Sequence, residues 1–130
     1  MMRRRYMLGN KDAATNLAVK DLKIAKKFYE DVLGLKVIGS EGDEVLAFKS
    51  GNSTLYVYKS KYAGTNKATA ATWQVGDIEK IARELKTKGV NFEHYDMPGM
   101  TLKDDIHVSD EMKVAWFKDP DGNILCLANG

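Results

Sequence analysis

The sequence feature that most constrains the fold is a pair of strand-like segments near the end of the chain, joined by an explicit turn sequence. The turn is DPDGN at residues 119–123, and the arms are 114–117 and 124–127. Pro120 presets φ at the first corner of a type I turn, and Gly122 supplies the left-handed residue that a bulged hairpin requires. Both arms are apolar on both faces, which predicts a hairpin that lies between two layers of the structure.

A weaker copy of this hairpin lies in residues 45–58, where it follows a complete strand and helix. Residues 15–19 alternate as a strand does, and Asp21 stands where a helix N-cap is expected. Apolar residues then recur at helical spacing from Leu22 until Gly34 ends the helix. The first half is therefore predicted to be a βαβββ module.

The second half repeats this order. Residues 70–75 alternate as a strand, and Asp77 precedes an apolar helical stripe that ends at Gly89. A shift of 56 residues superposes the first strand and N-cap of the two halves, whereas the hairpins need a shift near 70. Most of the difference lies in the polar connection 95–112, which we interpret as either a lid or a surface insertion.

These boundaries predict a single α+β domain over residues 13–130, preceded by a polar, basic N-terminal arm over 1–12. The modules are expected at 13–59 and 70–128, with 60–69 as their linker. Each helix covers one face of its own sheet, so the other faces stay open. Placed side by side, the two βαβββ modules form an open, cup-shaped mixed sheet with the helices on the outer face.

Composition excludes several classes of function. Lys and Arg number 20 against 18 Asp and Glu, and this near balance argues against a nucleic-acid partner. No apolar run approaches the roughly 18 residues that cross a membrane, and the first residues lack the apolar middle of a signal peptide. The single Cys126 excludes an internal disulfide framework. We therefore expect a cytoplasmic protein that binds neither nucleic acid nor membrane.

Three of these segments resemble a known superfamily. VKDL at 19–22, its repeat VGDI at 75–78, and above all FKDPDGN at 117–123 are similar to the vicinal oxygen chelate superfamily. That superfamily contains glyoxalase I, extradiol dioxygenases, fosfomycin-resistance proteins and bleomycin-binding proteins. The resemblance covers residues 13–128 and implies the paired-module cup, but a shared scaffold does not fix the chemistry.

The resemblance also implies four metal-ligand positions, one on the first and one on the last strand of each module. In this sequence they hold Ala14, Tyr56, Ala70 and Cys126. A divalent metal needs several converging oxygen, imidazole or thiolate donors. Because these four residues do not supply them, we expect no metal and no other cofactor.

The period-two rule assigns candidate ligand-binding residues to the open face of the cup. The wall is expected to be aromatic and apolar with a few neutral amides and hydroxyls, which suits a planar aromatic ligand. The rule leaves the face of Trp116 undecided. His94 and His107 lie at none of the ligand positions that the resemblance implies, so we expect both at the surface, with the alternative that His107 reaches the cup if the connection 95–112 folds over it. The candidates are Asn16, Tyr56, Tyr58, Thr72, Gln74, Trp116 and Cys126.

Three functions remain open on this basis. The leading hypothesis is a metal-free, small-molecule-binding homodimer that resembles the bleomycin-binding proteins. The second is a glyoxalase-like lyase or isomerase with an atypical metal site. The third is a non-catalytic interaction subunit, in which the cup is filled by its own side chains and the aromatic residues pack against a partner. No catalytic residue is assigned, so the sequence leaves open whether the protein is an enzyme.

Overall fold

A computed structural model describes residues 7–129 of the chain. Residues 1–6 of the expected N-terminal arm, with its three arginines, lie outside the described residues, as does Gly130. The first half of the chain forms one helix and four strands. In order these are β1 (Thr15–Val19), α1 (Leu22–Lys27, continued by a π-helical turn over Phe28–Val32), β2 (Lys36–Glu41), β3 (Val45–Ser50) and β4 (Ser53–Lys59).

The second half forms one helix and six strands. They are β5 (Thr69–Val75), α2 (Ile78–Thr87), β6 (Phe92–Glu93), β7 (Thr101–Lys103), β8 (Ile106–Ser109), β9 (Met112–Lys118) and β10 (Ile124–Asn129). Within residues 7–129, no helix is long and apolar enough to cross a membrane.

Each half builds its own mixed sheet. The first has the strand order β1-β4-β3-β2, and the second has the order β5-β10-β9-β8-β7, with β6 also paired to β9. In both sheets the first strand runs parallel to the last strand of the same half, and the remaining pairs are antiparallel. The predicted α+β fold with two related modules is therefore confirmed.

The start of each helix is fixed by the residue that the sequence indicated. The carboxylate of Asp21 accepts hydrogen bonds from the backbone N–H of Lys23 and Ile24, and that of Asp77 accepts one from Lys80. The first helix ends at Gly34, whose φ is +76°. The sequence did not predict the π-helical turn before this glycine, because apolar spacing does not distinguish it from a regular turn.

The connection between β6 and β9 is regular over most of its length, so the expected irregular surface insertion was wrong. Residues 101–109 fold as the β7–β8 hairpin, turning at Asp104, whose φ is +56°. Strand β8 then pairs with β9, with His107 opposite Val114. The second sheet is thereby wider than the first, and the second module exceeds the predicted βαβββ pattern by one hairpin.

The DPDGN turn adopts the predicted conformation. The backbone N–H of Gly122 donates to the carbonyl of Asp119 at 3.0 Å, and the N–H of Asp119 donates to the carbonyl of Asn123 at the same distance. Gly122 has a φ of +91°, in the region that side chains other than glycine rarely adopt. The turn therefore aligns β9 and β10 with Cys126 opposite Trp116.

This turn also joins the two modules through a buried network. Asp119 is 5% exposed, and its carboxylate accepts hydrogen bonds from the Tyr29 hydroxyl at 2.7 Å and from the backbone N–H of Asp121 and Asn123. The Asn123 amide donates to the same carboxylate and to the carbonyl of Ala18 in β1. Burial, followed by the negative charge of Asp119, raises the pKa of Tyr29, so its hydroxyl remains a donor.

The core lies between the sheets and the helices, and strand alternation determines which strand residues belong to it. Within each sheet, every second residue of the central strands is buried against a helix, while the residues between them face the other way. The buried members from the strands include Leu17, Val19, Phe48, Leu55, Val57, Phe117, Leu125 and Leu127.

Candidate ligand-binding site

The open face of the first sheet carries three of the predicted site residues. Asn16 in β1 lies opposite Tyr56 in β4, and the same register places Ala18 opposite Tyr58. Their neighbours along both strands are buried under α1, so these side chains point away from the helix. Tyr56 and Tyr58 are each 37% exposed, which leaves part of each ring free for contact with a ligand.

The open face of the second sheet carries the other four. Thr72 in β5 lies opposite Cys126 in β10, which in turn lies opposite Trp116 in β9. This register settles the face of Trp116, which the sequence left undecided. Thr72 and Gln74 are exposed, Trp116 is half-buried, and Cys126 is 5% exposed. The two groups of residues occupy separate sheets, which meet where β1 lies beside β5. We call the open faces of both sheets together the cup face.

The structure adds two residues to the cup face that sequence reasoning missed. The pairing of His107 with Val114 puts the imidazole on the same face as Trp116, and its ring centroid lies 5.0 Å from that of Trp116. Tyr95 stacks on His107 at 6.3 Å and meets Trp116 edge to face at 5.3 Å. His107 is 1% exposed, so its expected surface position was wrong.

A sequence signal for these residues was present. Residues 101–103 and 106–108 alternate apolar and polar side chains on either side of Asp104 and Asp105. Aspartate accepts left-handed backbone conformations, and a two-residue loop between alternating segments is typical of a hairpin. Reading 95–112 as one polar connection concealed this pattern.

Burial opposes the ionisation of two groups on the cup face, Tyr95 and Cys126. Burial raises the pKa of the Cys126 thiol, which opposes the thiolate that a nucleophile or a metal ligand requires. Burial, and next to it the charge of Glu93, raises the pKa of Tyr95. Glu93 itself pairs with Lys118 at 3.3 Å. The wall therefore presents neutral hydrogen-bonding groups around Trp116 together with the Glu93–Lys118 pair, while strand register places Lys36, Glu41 and Lys49 on the open face of the first sheet.

The donors at the four family positions do not fit a divalent metal. Ala14 directly precedes β1 and Ala70 lies in β5, and neither has a side-chain donor. Tyr56 offers one phenol, and burial holds Cys126 as a thiol. Among residues 7–129, no three side chains of the types His, Cys, Asp and Glu lie together as a metal site. The chemistry of the cup face is therefore stacking and hydrogen bonding.

A cavity of about 270 Å³ lies at one end of the cup face, next to the starts of β1 and β4. It includes the ring of Tyr56 and the position of Ala14, so it occupies the part of the cup where the family positions of the first module lie. Its lining residues are Asp12, Ala13, Ala14, Asn52, Ser53, Thr54 and Tyr56.

Solved structures with the same fold support this assignment of the cup. Lactoylglutathione lyase from Agrobacterium tumefaciens matches with a TM-score of 0.70 and 18% identity, covering 93% of this chain and 94% of that one. A glyoxalase family protein from Enterococcus faecalis matches at 0.72 and 20% identity, covering 95% and 100%. A bleomycin resistance determinant encoded on the transposon Tn5 matches at 0.70 and 18% identity, covering 93% and 98%.

At these identities the structural matches show a common fold and not a common activity. No curated protein sequence matches this chain significantly. The family model described as Glyoxalase/Bleomycin resistance protein/Dioxygenase superfamily matches residues 13–127. That segment contains both modules and the turn that joins them, so the chain belongs to the glyoxalase, bleomycin resistance protein and dioxygenase superfamily.

Proposed function

We propose that this protein is a metal-free, small-molecule-binding member of its superfamily that holds a planar aromatic compound against the cup face. One observation carries the proposal. The cup face presents the partly exposed rings of Tyr56 and Tyr58 beside neutral polar side chains, and Tyr56 stands at a position where a metal-dependent relative would need a ligand.

The two tyrosines are suited to a ligand in their chemistry as well as their position. Within residues 7–129, neither hydroxyl makes a hydrogen bond to another residue, so both remain available to a ligand or to solvent. Each ring can stack on a flat molecule, and each hydroxyl can orient it. Asn16 and Gln74 add amide donors and acceptors on either side of the junction between the sheets.

The proposal includes a homodimer and a cytoplasmic location. Large apolar side chains are exposed on the helix and on the free edge strand of the first module, where Ile24 is 56% and Ile38 is 51% exposed. Both side chains offer apolar surface that a second subunit would bury. The one cysteine is a free thiol in the structure, which agrees with a reducing compartment. Sedimentation equilibrium of the purified protein tests the dimer, and a single species at the monomer mass would refute it.

A thermal-shift titration tests directly whether the protein binds an aromatic compound and no metal ion. The protein is titrated with zinc, nickel, manganese and iron(II), and separately with neutral planar aromatics such as 2-naphthol and coumarin. A compound at 100 times its Kd adds about 2.7 kcal/mol to the free energy of unfolding. We expect a saturable shift with an aromatic compound and none with a metal. A saturable shift with one metal alone would overturn the proposal.

Tyr56→Ala tests whether the cup face is the site. We expect this variant to weaken binding of the aromatic compound by about 1–3 kcal/mol because a stacked ring is removed. Tyr62→Ala is the matched control, since Tyr62 is 65% exposed and lies outside the strands. Unchanged binding in Tyr56→Ala, together with a large loss of folding stability, would show that Tyr56 is a core residue instead.

A further inference from the structure

The cluster of Tyr95, His107 and Trp116 contains two buried polar atoms without partners. In the described part of the chain, Tyr95 Oη and His107 Nδ1 are removed from solvent and make no hydrogen bond. A buried polar group left unpaired costs about 1–3 kcal/mol, and native structures contain few of them. Two such atoms in one aromatic cluster on the cup face therefore indicate a binding site for a hydrogen-bonding group that the described residues do not supply.

The surroundings of His107 determine which kind of group is missing. Its Nε2 lies 3.0 Å from the backbone nitrogen of Tyr95 and 3.1 Å from the carbonyl oxygen of the same residue. An amide N–H can only donate, whereas a carbonyl oxygen can find other donors. Nε2 therefore accepts from the amide, which assigns the proton of the neutral ring to Nδ1. The unpartnered Nδ1 is then a donor.

Tyr95 supplies a second donor. Its raised pKa, caused chiefly by burial, keeps the phenolic proton in place at neutral pH. The ring stacks on His107 with an angle of 25° between the planes, and Trp116 stands nearly perpendicular to both. Both unpartnered groups are thus hydrogen-bond donors, set beside an indole ring that faces the cup.

We propose that the hydroxyl of Tyr95 and the Nδ1–H of His107 form a paired donor site for an oxygen acceptor, the carboxylate or carbonyl of a planar aromatic ligand whose ring lies against Trp116. This inference rests on the proposed function and extends it, since it states that the acceptor end of the ligand contacts the open face of the second sheet. Carboxylate and carbonyl oxygens accept two hydrogen bonds readily. The charged pair beside Trp116, Glu93 and Lys118, is internally compensated, so the two donors determine the preference for the acceptor end of the ligand.

Access to the donor site goes through Tyr95. His107 is held in β8 between β7 and β9, and Trp116 is held in β9 between β6 and β10. Tyr95 follows β6 in residues 94–100, a segment without strand pairing. Its ring is therefore the member of the cluster with the most freedom to shift, so that an acceptor can reach the Nδ1–H of His107 while the Tyr95 hydroxyl still donates to it.

The tautomer of His107 is tested first, without any ligand. The chain has only two histidines, so the side-chain nitrogens of both resolve in a ¹⁵N-correlated NMR spectrum, with the exposed His94 as the internal reference. We expect a proton on Nδ1 of His107 and an unprotonated Nε2 at neutral pH. A proton on Nε2 instead would make Nδ1 an acceptor and would overturn the donor pair.

Binding is tested with a matched pair of probes, indole-3-carboxylate and 3-methylindole, which share a ring and differ in the acceptor oxygens. Calorimetric titration is expected to give the carboxylate an affinity about tenfold or more above that of 3-methylindole, as one or two hydrogen bonds to a charged acceptor supply. The Nδ1 resonance of His107 should move on saturation with the carboxylate. Equal affinities would overturn this inference and leave the aromatic-binding proposal standing, whereas failure of both probes to bind would count against both.

Tyr95→Phe separates a ligand contact from a structural role, with Tyr62→Phe as the control. We expect Tyr95→Phe to reduce the preference for the carboxylate about threefold or more, because the Nδ1–H of His107 remains as the second donor, while the affinity for 3-methylindole stays within twofold. Its melting temperature should equal or exceed that of the parent, because the variant removes a buried group that has no partner in the free protein. A clear fall in melting temperature would mean that the hydroxyl is already satisfied, and would overturn the proposal.

Discussion

The hydrogen bond between Tyr29 and Asp119 gives the strongest quantitative prediction, because it joins the two modules. Tyr29 is fully buried, and its hydroxyl donates to the Asp119 carboxylate at 2.7 Å. A hydrogen bond to a charged group contributes about 1.5–3 kcal/mol. Tyr29→Phe removes that bond without removing the ring, and the carboxylate keeps its bonds to Asn123. We therefore expect a loss of about 2 kcal/mol in the free energy of unfolding.

Urea denaturation followed by circular dichroism measures this loss. For a chain of this length, 2 kcal/mol corresponds to a fall of about 6–10 °C in the melting temperature. Tyr62→Phe is the control, since Tyr62 is 65% exposed, and its effect should stay within about 0.5 kcal/mol. A double-mutant cycle with Asp119→Asn should give a coupling energy of about 1–2 kcal/mol. A change below about 0.5 kcal/mol in Tyr29→Phe would refute the view that this bond holds the modules together.

Two further predictions concern the module junction and the outer surface. Gly64→Ala should cost about 2–4 kcal/mol, because its φ is +78° and a Cβ would press on the carbonyl oxygen of Asp121. Gly42→Ala, with φ +54° and open space around it, should cost only about 1 kcal/mol in the same urea assay, and equal costs would contradict the clash. His94, and next Lys86, hold the pKa of Asp105 below its usual value. The ionised carboxylate therefore stabilises the folded protein fully above the unfolded-state pKa of about 4. This stabilisation is lost as the pH falls through the lower pKa of the folded state. Asp105→Asn should therefore cost about 0.5 kcal/mol at pH 7 and nothing below that folded-state value, and a cost that stays constant with pH would disprove the assignment.

The parts of the fold that the sequence predicted are those that local chemistry determines. Asp21 and Asp77 cap helices because a short carboxylate bonds to free N–H groups in the first turn. The turn at 119–123 is determined by proline and by a glycine with positive φ. The orientation of Tyr56 and Thr72 followed from strand alternation alone, and the structure places both on the open face.

The parts that the sequence did not predict depend on contacts between distant residues. Strands β7 and β8 are only three and four residues long, so their alternation is a weak signal inside a connection that is polar as a whole. Burial of His107 results from Trp116 and Tyr95 packing around it, and no local pattern encodes that arrangement. The face of Trp116 required the register between β9 and β10, which the turn sets but alternation does not reveal in arms that are apolar on both sides.

The place of β10 within its sheet has a consequence for how the protein is made. β10 is the last strand of the described residues 7–129, and it lies between β5 and β9, so it supplies the ladder that connects these strands. The first sheet has all its strands once residue 59 has been synthesised, whereas the second can close only after residues 124–129 have left the ribosome. During synthesis the first module can thus fold as a unit. The second sheet stays incomplete until β10 is available to pair with β5 and β9. Residues 124–129 convert this half-folded nascent chain into a folded domain, and the turn at 119–123 that precedes them links the second module to the first.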